Sequence, residues 1–124
     1  MKFKSKQAIS SEELSKIVAQ GMLEKKASDV VIIELKGLKN AIADYFVIGS
    51  GTSDTQVEAI AESVEEMVYK NAHQDPWHTE GEKNKEWILI DYVDVVAHVF
   101  KKDRRAFFAL EDLWGDAKIT AVEP

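Results

Sequence analysis

From Asp29 to Leu35 the chain is almost unbroken aliphatic and β-branched residue, Asp-Val-Val-Ile-Ile-Glu-Leu. Such a run suits a strand covered on both faces, so whatever fold forms has to bring cover to both sides of a sheet there. Asp44 to Ser50 (Asp-Tyr-Phe-Val-Ile-Gly-Ser) reads as a second strand, with Gly49 and Gly51 allowing a sharp turn after it. Trp87 to Tyr92 and Val95 to Phe100 are two more, joined by a tight turn around Val93 and Asp94, and therefore antiparallel neighbours. Trp77 to Glu80 forms a further short strand inside a polar, turn-rich stretch from Ala72 to Glu86.

Helices alternate with these strands. Ser10 followed by Glu13 is a capping-box signature, and Leu14, Ile17, Val18 and Met22 then recur at helical spacing to about Leu23. Ser53, with Gln56 as reciprocal partner, caps a second helix whose apolar stripe is Val57, Ile60, Ala61, Val64, Met67 and Val68. Asp103 caps a third, with Phe107, Leu110, Leu113 and Trp114 facing the core and Gly115 ending it. Residues 1–9 read as a loose arm, 10–115 as one domain and 116–124 as a mobile tail. The fold class is α/β, a single mixed sheet with helices packed mainly on one face and part of the other face left open as a candidate binding surface.

Composition narrows the function. In 124 residues with 45% hydrophobic content, a core can form without staples. The absence of cysteine excludes disulfides, thiolate metal sites and cysteine nucleophiles. No apolar run approaches the ~20 residues of a membrane helix, and no export or organelle signal is visible, so the expected compartment is the cytoplasm. Twenty-two acidic against 16 basic side chains, a net charge of −6, work against phosphate backbones; the charge either suits a basic protein surface as partner or serves only to keep the domain in solution.

No catalytic constellation emerges cleanly. Gly49-Ser50-Gly51-Thr52-Ser53 lies between a strand and a helix, where amides can hold a phosphate, but it lacks a P-loop lysine and the third glycine of a dinucleotide fingerprint, and a turn plus helix cap explains it better. Asp91 and Asp94 resemble paired metal-binding carboxylates. On a continuous strand, however, residues three apart would be ~10 Å apart on opposite faces, whereas two-metal chemistry needs convergence. The alternative reading is that they shape a β-turn. His73 and His78 belong to the polar stretch, and His98 shares a strand face with Val96 and Phe100. Trp87, at a strand start near the sheet edge, either roofs the core or anchors a partner. Arg104 and Arg105 oppose the dipole of the last helix unless an acidic neighbour offsets them.

Taken in order, Asp44-Tyr45-Phe46-Val47-Ile48, Gly51-Thr52-Ser53 with Gln56, Glu80-Gly81, Trp87-Ile88-Leu89-Ile90-Asp91-Tyr92 and Asp94-Val95-Val96-Ala97-His98-Val99-Phe100 resemble the Iojap-like family of ribosomal silencing factors, RsfS. The likeness closes with Arg105, Phe107, Phe108, Leu110, Glu111, Leu113, Trp114 and Gly115. Val93 stands where the family commonly has glycine, and Phe108 where it commonly has tyrosine. The resemblance implies a nucleotidyltransferase-like fold without the catalytic carboxylates, a homodimer, and no enzymatic step or cofactor. It also implies binding to ribosomal protein L-fourteen of the large subunit, blocking subunit association and lowering translation when nutrients are scarce. Trp87 is then the leading contact, Asp91 and Asp94 the charges for a basic partner, and Tyr92, Glu80 and His98 further candidates. The competing function is a metal-dependent nucleotidyltransferase or nucleotide-binding enzyme using Asp91 and Asp94.

Overall fold

The computed structural model describes residues 9–104 and 117–124. Within them, two complete helices, α1 (Ser11–Glu24) and α2 (Asp54–Ala72), accompany six strands: β1 (Ser28–Glu34), β2 (Tyr45–Gly51), β3 (His78–Glu80), β4 (Trp87–Asp91), β5 (Val95–Lys101) and β6 (Lys118–Ala121). They form one mixed sheet in the order β3-β4-β5-β2-β1-β6. Among the described residues only β2 and β5 pair in parallel, with α2 in the crossover between them, and the other neighbours are antiparallel.

Local chemistry sets the element ends. At α1 the capping box closes both ways: Ser10 Oγ accepts from the Glu13 amide at 3.0 Å, and Glu13 Oε1 accepts from the Ser10 amide at 3.2 Å. At α2, Ser53 Oγ accepts the Gln56 amide at 3.1 Å. The Gln56 side chain does not return to Ser53 as expected. Its Oε1 accepts the Thr52 amide at 2.7 Å, and its Nε2 donates to the carbonyls of Lys25 and Lys26 at 3.0 and 3.2 Å, tying the end of α1 to the start of α2. The glycines beside it serve packing. A Cβ on Gly49 would lie 2.7 Å from Met22 Sδ, and one on Gly51 3.1 Å from the Val57 amide nitrogen. With the Thr52 amide engaged and the glycine cradles filled, this turn is built for helix docking.

Both helices cover one face of the sheet. Leu14, Val18 and Met22 of α1 and Val57, Ile60, Val64 and Val68 of α2 pack with Val30, Val47, Val95, Ala97, Val99, Ile88 and Ile90. The helices touch where α1 carries Gly21: a Cβ there would sit 2.9 Å from Val64 Cα, and Ser63 Oγ donates to the Gly21 carbonyl at 2.7 Å. The opposite face holds Ile33, Phe46, Ile48, Val96 and Phe100, all buried, with Leu38, Ala41, Ala43 and Ala117 packed against them. That face is thus less open than anticipated. It is closed over β5 and β2 and only half-closed along β4, where Trp87, Leu89 and Asp91 stay partly accessible.

The tail requires a correction. Lys118–Ala121, expected to be mobile, forms β6, whose four residues pair with Glu34 to Val31 of β1 and make a sheet edge. Ile9, counted with the arm, packs against the core. The first turn of the last helix is present at residues 102–104. Glu86 Oε1 lies 3.5 Å from Arg104 Nε, the acidic neighbour its position calls for. Arg105, Phe107, Leu110, Leu113 and Trp114 lie outside the described residues.

Candidate partner-binding face

Two turns fix the β4 strand. Before it, Gly81 has φ +90°, and a Cβ there would come 1.9 Å from the Trp87 carbonyl oxygen, so the Glu80-Gly81 turn folds tightly under the start of β4. After it, the Tyr92 amide donates to the Val95 carbonyl at 2.9 Å, closing a two-residue hairpin loop of Val93 and Asp94. The hairpin sets Trp87 opposite Phe100, Leu89 opposite His98 and Asp91 opposite Val96. On its outer side β3 sets His78 opposite Asp91 and Glu80 opposite Leu89. Directly paired residues share a face, so Glu80, Trp87, Leu89, Asp91 and His98 all lie on the face away from the helices.

At one end of this face stands Trp87. Its indole stacks on Phe100, with centroids 5.1 Å apart and planes at 28°, and its Nε1–H donates to His98 Nδ1 at 3.0 Å. An indole can only donate, so Nδ1 is the acceptor and the imidazole is the neutral tautomer protonated at Nε2. His98 is 3% exposed, with Phe46 edge-on to it at 4.5 Å. Burial among apolar neighbours pushes its pKa down to about 3, so it stays neutral throughout the physiological range.

At the other end of β4 are the aspartates. Trp87 and Asp91 are four residues apart on one strand, a separation of ~13 Å. Asp91 Oδ1 accepts the Val93 amide at 2.7 Å, as an Asx turn does. Asp94 is exposed in the turn, and its carbonyl accepts the amides of Asp44 and Tyr45 at 2.8 and 3.2 Å, which anchors the start of β2. Val93 sits between them at φ +76°, with the Asp94 amide bonded to the Tyr92 carbonyl at 2.9 Å. This is the rarer, strained form of γ-turn, costly for a β-branched residue and natural for glycine. The turn therefore survives the departure at Val93, under strain. Among the described residues, no three His, Asp or Glu side chains converge as a metal site would need.

Of the six side chains singled out in the sequence, four share this face, but they are not equally available. Glu80 is exposed, with Oε2 2.7 Å from His78 Nε2. Trp87 and Asp91 are half-buried. His98 is beneath the surface and holds Trp87. Asp94 lies beyond the strand end. Tyr92 points to the opposite face, 6% exposed in the helix-side core, where burial, then the charges of Glu65 and Asp75, raise its pKa. Tyr92 and His98 are thus both buried within the chain. Sequence reasoning missed the Trp87–His98 bond and the supporting Phe100; the two-residue loop, counted outward, gives the register that brings them together. Trp77, expected to open the short strand, lies just before His78–Glu80 and is 74% exposed, and its amide donates to the Asp91 carbonyl at 2.8 Å.

A mixed sheet with α1 and α2 packed on one face, and Trp87, Glu80 and Asp91 on the other, defines a small α/β protein. The family model described as "Ribosomal silencing factor during starvation", RsfS, matches residues 8–124. Ribosomal silencing factor RsfS of Halalkalibacterium halodurans is 40% identical over 115 residues, covering 93% of this chain and 97% of that protein. A crystal structure of a Chromobacterium violaceum protein superposes with a TM-score of 0.80 at 29% identity, covering 94% of this chain and 95% of that one. The mouse protein named Mitochondrial assembly of ribosomal large subunit protein 1 is 32% identical over 94 residues, which cover 73% of this chain and 40% of the mouse protein. The chain belongs to the ribosomal silencing factor family.

Proposed function

We propose that this chain acts in the cytoplasm as a homodimer that binds the large ribosomal subunit through ribosomal protein L-fourteen and keeps the small subunit from joining. Family membership supports the ribosomal setting, and the name of the mouse relative points to the large subunit. The observation that carries the reading is the half-buried Trp87, locked in orientation, with Glu80 and Asp91 along the same face and Asp94 beyond it. A partly buried aromatic anchor inside a polar rim is the usual make-up of a binding hot spot. The net charge of −6 suits a basic ribosomal protein. Occlusion needs only bulk at the subunit interface, so no bond is made or broken and no cofactor takes part.

Trp87→Ala in the full chain tests the surface. Binding to salt-washed large subunits should weaken by about 2 kcal/mol or more, roughly thirtyfold, with the fold intact by circular dichroism. A folded variant that binds as the parent does would show that this face is not the contact.

A further inference from the structure

We propose that His98 is a positioning residue for partner binding: its ring accepts the Trp87 indole N–H and fixes the angle at which the indole is presented, although no partner touches the histidine. The inference rests on the proposed contact face. Its physical basis is that two of the interactions of Trp87 constrain different motions. Stacking on Phe100 at 5.1 Å sets the plane of the indole but leaves it able to slide and rotate within that plane. The 3.0 Å bond from Nε1 to His98 Nδ1 removes that remaining freedom, because it is directional.

The acceptor is itself rigidly held. His98 lies in β5, an interior strand, opposite Leu89 of β4 on one side and Ile48 of β2 on the other. Phe46 packs edge-on at 4.5 Å, and the Phe100 ring lies 6.3 Å away at 11°. A protonated ring would carry N–H groups on both nitrogens and oppose the indole donor, so the bond requires the neutral form that burial enforces. The arrangement also accounts for a histidine where an aliphatic residue would pack with less cost: Nε2 has no hydrogen-bond partner among the described residues. Leaving a buried donor unpaired is unfavourable. Pre-orienting a hot-spot side chain lowers the ordering cost of association, which is where the offset lies.

The test compares His98→Leu, which removes the acceptor at similar volume, with His98→Asn, whose side-chain oxygen can stand near the position of Nδ1. Both are titrated in the full chain against isolated large ribosomal subunits beside Trp87→Ala. His98→Leu should bind roughly tenfold more weakly while still unfolding cooperatively, and His98→Asn should stay within about threefold of the parent. In the ¹⁵N–¹H spectrum the Trp87 indole resonance should exchange slowly with solvent in the parent and shift in the leucine variant. Full-strength binding by folded His98→Leu beside a weakened Trp87→Ala overturns the positioning role and leaves the contact face standing. Full-strength binding by Trp87→Ala removes the face and this inference with it. Should the leucine variant not fold, the parent spectrum decides: a Trp87 indole proton exchanging as fast as that of exposed Trp77 overturns the bond.

Discussion

Acidification should weaken this fold through His98 before ordinary carboxylates titrate. The folded ring takes up a proton only near pH 3, whereas an unfolded histidine does so near 6.5. Between those values the unfolded chain holds the extra proton, so the stability that comes from keeping His98 neutral is present above about pH 6.5 and drains away as pH falls. At 1.36 kcal/mol per pH unit, the loss between pH 7 and pH 5 is about 2 kcal/mol. For a domain of this size that corresponds to a fall in melting temperature of roughly 6–10 °C. Urea unfolding at both pH values, for the parent chain and His98→Leu, isolates the contribution, since the variant lacks the titrating group and shares all others. The parent should lose about 2 kcal/mol more than the variant over this interval. Equal losses would mean that His98 is not held neutral by burial, and the tautomer argument for its bond to Trp87 would fall with it.

Three further substitutions probe the frame around the face. Val93→Gly should stabilise by about 0.5–1 kcal/mol in thermal unfolding, because relief of a β-branched residue at φ +76° exceeds the added chain entropy of glycine; a loss would mean that the turn is not strained. Gly21→Ala should destabilise by about 1 kcal/mol in urea, since crowding against Val64 Cα at 2.9 Å outweighs the better helix propensity of alanine. Unchanged or increased stability would show that the helices can move apart without cost. Glu65 has its pKa raised by burial, then by Glu82, Asp75 and Glu62, so the folded state retains the proton more strongly and stability falls as pH rises through its titration. Glu65→Gln should therefore gain stability at pH 7, and the gain should vanish at acidic pH where the unfolded chain is protonated too; a constant gain would point to packing instead.

The interior of the fold is plain in the sequence because its signals are local. The β-branched runs of β1 and β2, the alternation of β4 and β5, and the Ser10–Glu13 capping box each specify an element from a few adjacent residues. β6 is not legible in that way. Its four residues, Lys-Ile-Thr-Ala, are all exposed, and what makes them a strand is the free edge of β1, more than 80 positions earlier in the chain. The covering of the second face is equally non-local, since Leu38, Ala41 and Ala43 reach it from an irregular loop with no periodicity. In the candidate site, type and placement separated. Trp87, Asp91 and Glu80 are candidates by residue chemistry and likeness to the family, and strand pairing places them on one face. The burial of Tyr92 and His98 follows from strand parity and from what packs on each face. Gln56 shows the same limit: the motif predicts a cap, but only tertiary structure brings the carbonyls of Lys25 and Lys26 within its reach.

Occlusion of subunit joining is the function proposed for this chain. The direct measurement is sedimentation of purified large and small ribosomal subunits, mixed under conditions that form whole ribosomes, with and without the full chain. If occlusion operates, the protein travels with large subunits alone and the joined peak shrinks as protein is added. A protein that fails to bind large subunits, or binds them while the joined peak is unchanged, would contradict it.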